Sequence, residues 1–89
     1  MHQGFQDLNR FRSLDFDDLL LLKHLLEGES LTSIARNLCV TQPAISQRMR
    51  KLEWIYGIEI LERFGRSVRL TGTGRAICTR AAAALSQMY

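Results

Sequence analysis

The sequence predicts a mainly α-helical domain that carries one small β-hairpin. Apolar residues recur at helical spacing in four segments, Thr-Gln-Pro-Ala at residues 41–44 opens one of them, and a strand-like pattern occurs only around Gly65. A chain of 89 residues suits a single domain with a modest core. We expect residues 1–13 to form a polar tail, residues 14–70 the core domain and residues 71–89 a C-terminal helix.

The first helix is predicted to begin after Asp15, a residue type that caps helices by accepting a hydrogen bond from a free N–H group. Asp17 and Asp18 then lie in the first turn, where negative charge suits the helix dipole. Residues 19–26 provide a broad apolar face, and Gly28 allows the helix to end. Four consecutive leucines are also compatible with a buried strand, but the acidic start favours a helix.

Two further helices follow, joined by a tight turn. Ser30 or Thr32 caps the second helix, which runs to about Leu38. Thr41 caps the third, and Pro43 lies in its first turn, where the missing N–H group costs nothing. The apolar residues of the third helix are spaced by four, three and four, so we expect them to face the core: Ile45, Met49, Leu52 and Tyr56.

The spacing changes after Gly57. Residues 58–64 and 68–70 are predicted to be two short strands around Gly65-Arg66-Ser67. Thr71 then caps a last helix that reaches the end of the chain. Three core helices, a β-hairpin wing and a long C-terminal linker or dimerisation helix together make a winged helix-turn-helix.

Charge is divided unevenly along the chain. Residues 1–35 carry three basic and six acidic side chains, whereas residues 36–89 carry nine basic and three acidic ones. The basic half contains the third helix, which carries polar and basic residues on the side opposite its apolar face. This distribution fits a surface that faces phosphates, and it fits a solvated charged surface equally well.

The composition argues against several other classes of protein. Cys39 and Cys78 lack metal-ligand spacing, so we expect two buried or half-buried thiols in a reducing cytosol, with no metal and no cofactor. No apolar run approaches the ~20 residues that cross a bilayer, and the start of the chain lacks the apolar segment of a secretory signal. We expect a cytoplasmic protein without membrane contact, and no constellation of catalytic residues indicates an enzyme.

An ordered set of short motifs runs through residues 14–88. It consists of Gly28-Glu-Ser-Leu-Thr32 with Ala35 and Leu38, Val40-Thr-Gln-Pro-Ala-Ile-Ser46, Lys51-Leu-Glu53 with Gly57, and Leu61-Glu-Arg-Phe-Gly-Arg-Ser-Val-Arg-Leu-Thr71 with Gly74. On these residues the chain resembles the N-terminal DNA-binding domain of LysR-type transcriptional regulators. It departs from the pattern in the long tail, the extra residue Glu29, Ile34, Leu61 and Trp54. The family's effector-binding domain is absent from this chain.

The resemblance implies a role for the third helix in the major groove of double-stranded DNA. Gln42 suits an adenine edge, Ala44 a thymine methyl group, and Arg50 a guanine or a phosphate. Thr32 is as well explained as a helix cap, and Arg63 as a partner of Glu59 or Glu62. The predicted DNA-contacting residues are Thr32, Ser33, Arg36, Thr41, Gln42, Pro43, Ala44, Ser46, Gln47, Arg50, Arg63 and Arg66.

The last helix has a coiled-coil-like spacing that predicts a homodimer. The residues assigned to that contact are Ile77, Ala81, Ala84, Leu85 and Met88. The predicted function is sequence-specific DNA binding as a dimer on a pseudo-palindromic site. The alternative is a domain-only interaction protein that pairs with, or inhibits, a related regulator.

Trp54 lies on the outer face of the third helix and is interpreted as a single exposed aromatic residue.

Overall fold

The computed structural model describes residues 14–88, with side chains as far as Gln87. It confirms the predicted class, since four helices enclose the core and one antiparallel hairpin forms the wing. The predicted tail, residues 1–13, lies outside the described residues. In chain order the elements are α1 (Phe16–Leu26), α2 (Leu31–Asn37), α3 (Gln42–Tyr56), β1 (Leu61–Phe64), β2 (Ser67–Leu70) and α4 (Gly72–Met88).

The first helix starts as predicted, with a reciprocal cap. The Asp18 N–H group donates to Asp15 Oδ1 at 2.8 Å, and the Asp15 N–H group donates to Asp18 Oδ2 at 3.2 Å. The hydrogen bond from Asp18 N–H is the main reason why the pKa of Asp15 lies below its ordinary value. This pair satisfies two N–H groups that the helix itself leaves free.

Caps also fix the two helices of the helix-turn-helix. Ser30 Oγ accepts from the Ser33 N–H group at 3.1 Å, so Ser30, and not Thr32, caps α2. The predicted Thr41 cap of α3 is confirmed by its bond from the Ala44 N–H group at 3.3 Å. The turn between these helices passes through Cys39 at φ +58°, a left-handed conformation that is uncommon for a residue other than glycine.

The core lies between α1, the inner faces of α2 and α3, and α4. Tyr56, predicted to belong to it, is half-buried and packs against its edge. The cysteine prediction holds for Cys78, where burial raises the pKa of the thiol to about 11, but not for Cys39, which is exposed. The buried apolar cluster comprises Leu21, Leu22, Leu25, Ile34, Ala35, Ile45, Met49, Leu52, Ile60, Cys78 and Ala81.

The first strand begins three residues later than predicted, at Leu61 and not at residue 58. The reason is visible at Ile60, which is fully buried and has its backbone engaged elsewhere. Its N–H group donates to Glu53 Oε2 at 2.8 Å, and its carbonyl accepts from the Thr71 N–H group at 3.0 Å. The connection after α3 is therefore held by the buried Ile60 side chain and by these two hydrogen bonds, and not by pairing with a strand. Ser67 belongs to β2, where it pairs with Phe64.

The last helix packs lengthwise against α1 of its own chain. Ala81 and Leu85 are each only 2 % exposed, so they offer almost no surface to a second chain. Two of the five residues predicted at the dimer contact are thus occupied within the monomer. Ile77 and Ala84 are half-buried, and the Met88 side chain lies outside the described residues. No helix between residues 14 and 88 is both long and apolar enough to cross a lipid bilayer.

Candidate nucleic-acid interface

The outer side of α3 presents polar side chains to solvent over its first nine residues. Gln42, Pro43, Gln47 and Arg50 are exposed and Ser46 is half-exposed. Together they line a shallow concavity of about 390 Å³. We call these five residues the α3 face. Ala44 is half-buried behind it, because the inner side of the helix packs on the core through Ile45, Met49 and Leu52.

A second groove joins the α3 face to the wing. It has a volume of about 370 Å³. One wall carries Ser46, Arg50 and Glu53, and the other carries Glu62, Arg63 and Val68. Arg63 and Val68 are opposite each other in the hairpin, which places both side chains on the same face of the small sheet. Arg66 lies in the exposed turn between the strands. Two elements distant in sequence therefore contribute arginines to one continuous concave surface.

The remaining cations of α3 point away from this surface and are held by acids of α1. Arg48 Nη1 lies 3.3 Å from Asp18 Oδ1 and 3.4 Å from Asp15 Oδ1, and Lys51 Nζ lies 3.3 Å from Asp18 Oδ2. Asp18 is fully buried beneath them. Lys51 is exposed but engaged by Asp18, so it is not a free cation. The partner that occupies it is more than thirty residues away in sequence, so helical spacing alone could not reveal it.

The predicted basic contacts, by contrast, lack acidic partners. Arg50, Arg63, Arg66 and Arg36 are exposed and form no ion pair with any residue between 14 and 88. Unpaired guanidinium groups keep all their donors for an external acceptor such as a phosphate or a guanine edge. On α3, the cations on the side of α1 are thus paired with acids, whereas Arg50 on the groove side is unpaired.

On the wing, one of the two acidic partners predicted as alternatives for Arg63, Glu62, is paired with another arginine. Arg69 Nε lies 3.5 Å from Glu62 Oε1, as expected from their opposite positions in the hairpin. The Arg69 guanidinium also lies 3.3 Å from the centre of the Phe64 ring, a cation–π contact. Arg69 therefore braces the outer side of the wing, which leaves Arg63 free on the side of the groove.

The residues predicted on α2 have different environments. Thr32 is exposed, and its hydroxyl donates to Gln42 Oε1 at 3.1 Å across the turn. The Ser33 hydroxyl donates to Glu29 Oε1 at 3.1 Å and faces the end of α1. That bond occupies the donor that a phosphate contact of Ser33 requires. Arg36 is the residue of this helix that remains exposed without a partner among residues 14–88.

One group that the sequence did not predict lies at the junction of α1 and α2. His24 Nδ1 pairs with Glu29 Oε2 and lies 3.5 Å from Glu27 Oε1. The hydrogen bond with His24 is the main reason why the pKa of Glu29 lies below its ordinary value. The possible metal-ligand atoms of His24, Glu27 and Glu29 lie within 4.8 Å of one another. Since Glu29 also accepts from Asn37 at 2.8 Å, ordinary hydrogen bonds between the two helices account for the group.

Comparison with known proteins gives this surface a family context. The family model described as a bacterial regulatory helix-turn-helix protein of the lysR family matches residues 16–75. The chain belongs to the LysR family. An uncharacterised HTH-type transcriptional regulator of Bacillus subtilis, YraN, is 33 % identical to it over 75 residues, which cover 84 % of this chain and 26 % of that protein.

Further LysR-family relatives extend the comparison. An uncharacterised HTH-type transcriptional regulator of Azotobacter vinelandii is 37 % identical over 73 residues, covering 82 % of this chain and 51 % of that protein. The chain thus spans from about a quarter to about half of the length of these curated relatives. BenM of Acinetobacter baylyi is 39 % identical over 59 residues, or 60 % of this chain and 19 % of BenM.

Solved structures of the family include complexes with DNA. The BenM DBD in complex with catB site 1 DNA matches with a TM-score of 0.74 and 32 % identity, covering 84 % of this chain and 81 % of that one. The CbnR DBD–DNA complex matches with a TM-score of 0.73 and 31 % identity, covering 84 % and 86 %. The winged helix-turn-helix of this LysR-family chain is therefore the architecture found in those complexes.

Proposed function

We propose that this chain binds double-stranded DNA in a sequence-specific manner, with the α3 face in the major groove and the wing at the adjacent minor groove. The observation that carries this proposal is the unpaired state of the groove-side donors. The side chains of Gln47 and Arg50 have no hydrogen-bond or ion-pair partner among residues 14–88, whereas those of Arg48 and Lys51 on the same helix are paired. On α3, the donors that face the groove are therefore the ones that remain available to an external acceptor.

The dimensions and chemistry of the surface fit this role. The major groove is ~12 Å wide and admits one α-helix, and its base edges carry acceptors that a glutamine amide or an arginine fork can recognise. Arg63 and Arg66 on the hairpin suit the minor groove, where a narrow A·T-rich tract concentrates negative potential. The fold that this chain shares with the DNA complexes of BenM and CbnR supports DNA binding by this chain.

A direct test measures binding of the 89-residue chain to a duplex selected from a random library and to a scrambled duplex of equal length. Fluorescence anisotropy across about 50 to 200 mM salt gives both affinities and their salt slopes. We expect tighter binding to the selected duplex and a steep negative slope of log affinity against log salt for both. Equal affinity for both duplexes, or no binding at low salt, contradicts the proposal.

The first variant to measure is Arg50→Ala. It removes an unpaired guanidinium from the place where the α3 face meets the groove to the wing, so affinity for the selected duplex should fall by about tenfold to a hundredfold. Arg80→Ala is the matched control, since Arg80 is also exposed but lies on α4, outside this surface. Unchanged affinity of Arg50→Ala for both duplexes shows that the α3 face has been assigned wrongly.

We also propose that two chains associate through the flank of α4 that carries Ile77 and Ala84, so that the two copies of α3 reach half-sites about one helical turn apart. Ala84 is the half-buried small residue on that side. Ala84→Glu should convert the dimer to a monomer in sedimentation-velocity measurements, because it places an unpaired charge in the contact. Ser86→Glu, at an exposed position on the opposite flank of α4, should remain dimeric. If both variants sediment like the wild type, the contact lies elsewhere.

A further inference from the structure

Thr32 and Gln42 are linked across the turn of the helix-turn-helix. Thr32 lies in the first turn of α2, and Gln42 is the first residue of α3. The Thr32 Oγ1 hydroxyl donates to Gln42 Oε1 at 3.1 Å, and both residues are exposed. This hydrogen bond connects the helix that crosses the DNA backbone with the helix that enters the groove.

The hydroxyl of Thr32 has no other task among the described residues. Capping of α2 is done by Ser30, whose Oγ accepts from the Ser33 N–H group. The only hydrogen bond formed by Thr32 Oγ1 within residues 14–88 is the one to Gln42. Since an exposed threonine gains little stability from a bond to another exposed side chain, maintaining the fold does not explain this contact.

The contact does have a consequence for Gln42. The terminal torsion of a free glutamine is broad, so an isolated amide on the surface rotates between two opposite orientations. The bond from Thr32 holds the oxygen of the amide towards α2. Nε2 then has no partner among residues 14–88 and keeps both N–H groups, while Oε1 retains a second acceptor site. That combination of donor and acceptor is the one that an adenine edge requires.

We propose that Thr32 is a positioning residue for base recognition: it sets DNA specificity by orienting the Gln42 amide, and not by its own contact with a phosphate. The inference rests on the proposed function of the α3 face in DNA binding. It predicts that loss of the hydroxyl affects discrimination between bases while leaving sequence-independent binding unchanged, because a preorganised amide contributes only where the correct base is present.

The experiment uses the duplex selected by the wild-type chain, a set of duplexes in which each base pair is changed in turn, and the scrambled duplex. Gln42→Ala first identifies the base pair at which discrimination depends on Gln42. Thr32→Val, which replaces the hydroxyl by a methyl group of similar size, should reduce discrimination at that same base pair by about three- to tenfold. Affinity for the scrambled duplex, the salt slope and the melting temperature should not change. Thr32→Ser should retain wild-type discrimination.

The double variant separates this role from a phosphate contact. In the Gln42→Ala background, Thr32→Val should have no further effect, since the amide it orients is gone. Equal losses for selected and scrambled duplexes, or an undiminished effect of Thr32→Val without Gln42, overturn the inference. Full discrimination by Thr32→Val also overturns it. These results are distinct from failure of the proposed function, in which the wild-type chain itself shows no preference among duplexes.

Discussion

Replacing Gly74 with alanine is expected to destabilise the fold by about 1 to 3 kcal/mol. A Cβ atom built on Gly74 lies 2.3 Å from the carbonyl oxygen of Ile60 and 2.9 Å from its Cα atom. Both are backbone atoms, so no side chain can rotate away to relieve the clash. The start of α4 must then move away from the buried Ile60, or the connection before the wing must shift. Thermal and urea denaturation followed by circular dichroism measure the loss.

Gly72 provides the matched control for this variant. It belongs to the first turn of the same helix, but an added Cβ meets nothing within 4 Å. Gly72→Ala should therefore keep or slightly raise the stability, because alanine lowers the entropy of the unfolded chain at no steric cost. If the two variants melt together, the close approach of α4 to Ile60 is not present in the folded protein.

The position of Ile60 explains why this effect should extend beyond α4. Its N–H group is held by Glu53 at the end of α3, and its carbonyl accepts from Thr71, the residue that caps α4. Thr71 Oγ1 in turn accepts from the Gly74 N–H group at 2.9 Å. Displacing Ile60 disturbs α3, the wing and α4 together, so Gly74→Ala should also weaken the proposed binding to DNA.

Local chemistry was sufficient to predict the elements of this fold. The caps Asp15 and Thr41 act within three residues of the N–H groups they satisfy, and so does Ser30, one of two predicted caps. The apolar side of α3 follows directly from helical spacing, and the donors opposite it could be identified for the same reason. Helix caps and helix faces depend on residues only a few positions apart, and they can therefore be predicted from the sequence.

One prediction that was wrong, the start of the first strand, and one that stays untested, the seam on α4, both depend on contacts between residues far apart in the chain. Ile58 to Ile60 resemble a strand by composition, but Ile60 is held by Glu53 and Thr71 instead of a strand partner. Spacing on α4 suggested a seam for a second chain, and packing against α1 buries part of that seam within one chain. In each case the residues that determine the structure are farther apart in the chain than the few positions that a periodic pattern compares.

The carboxylate of Asp18 is fully buried. Removing its cationic partners should therefore destabilise the fold much more than removing Asp18 itself. The double variant Arg48→Met with Lys51→Met removes both cations 3.3 Å from this carboxylate and leaves it fully buried without either of them. Removing the partners of a buried charge typically costs about 3 to 5 kcal/mol, because the desolvated ion keeps its penalty and loses its compensation. Urea denaturation near pH 7 should show a loss of that size. Arg75→Met with Arg80→Met, two exposed cations of α4, should remain close to wild type.

The opposite replacement distinguishes a buried ion from a general effect of charge. Asp18→Leu removes the desolvated group itself, while Arg48 and Lys51 are partly exposed and can regain water. Its cost should be limited to about 1 kcal/mol, the contribution of the lost hydrogen bond to Asp15 N–H. Apolar replacements on the two sides of the same contact should therefore differ by several-fold in their effect on the free energy of unfolding. Equal losses on both sides mean that attraction between α1 and α3, and not burial of Asp18, determines the stability of this contact.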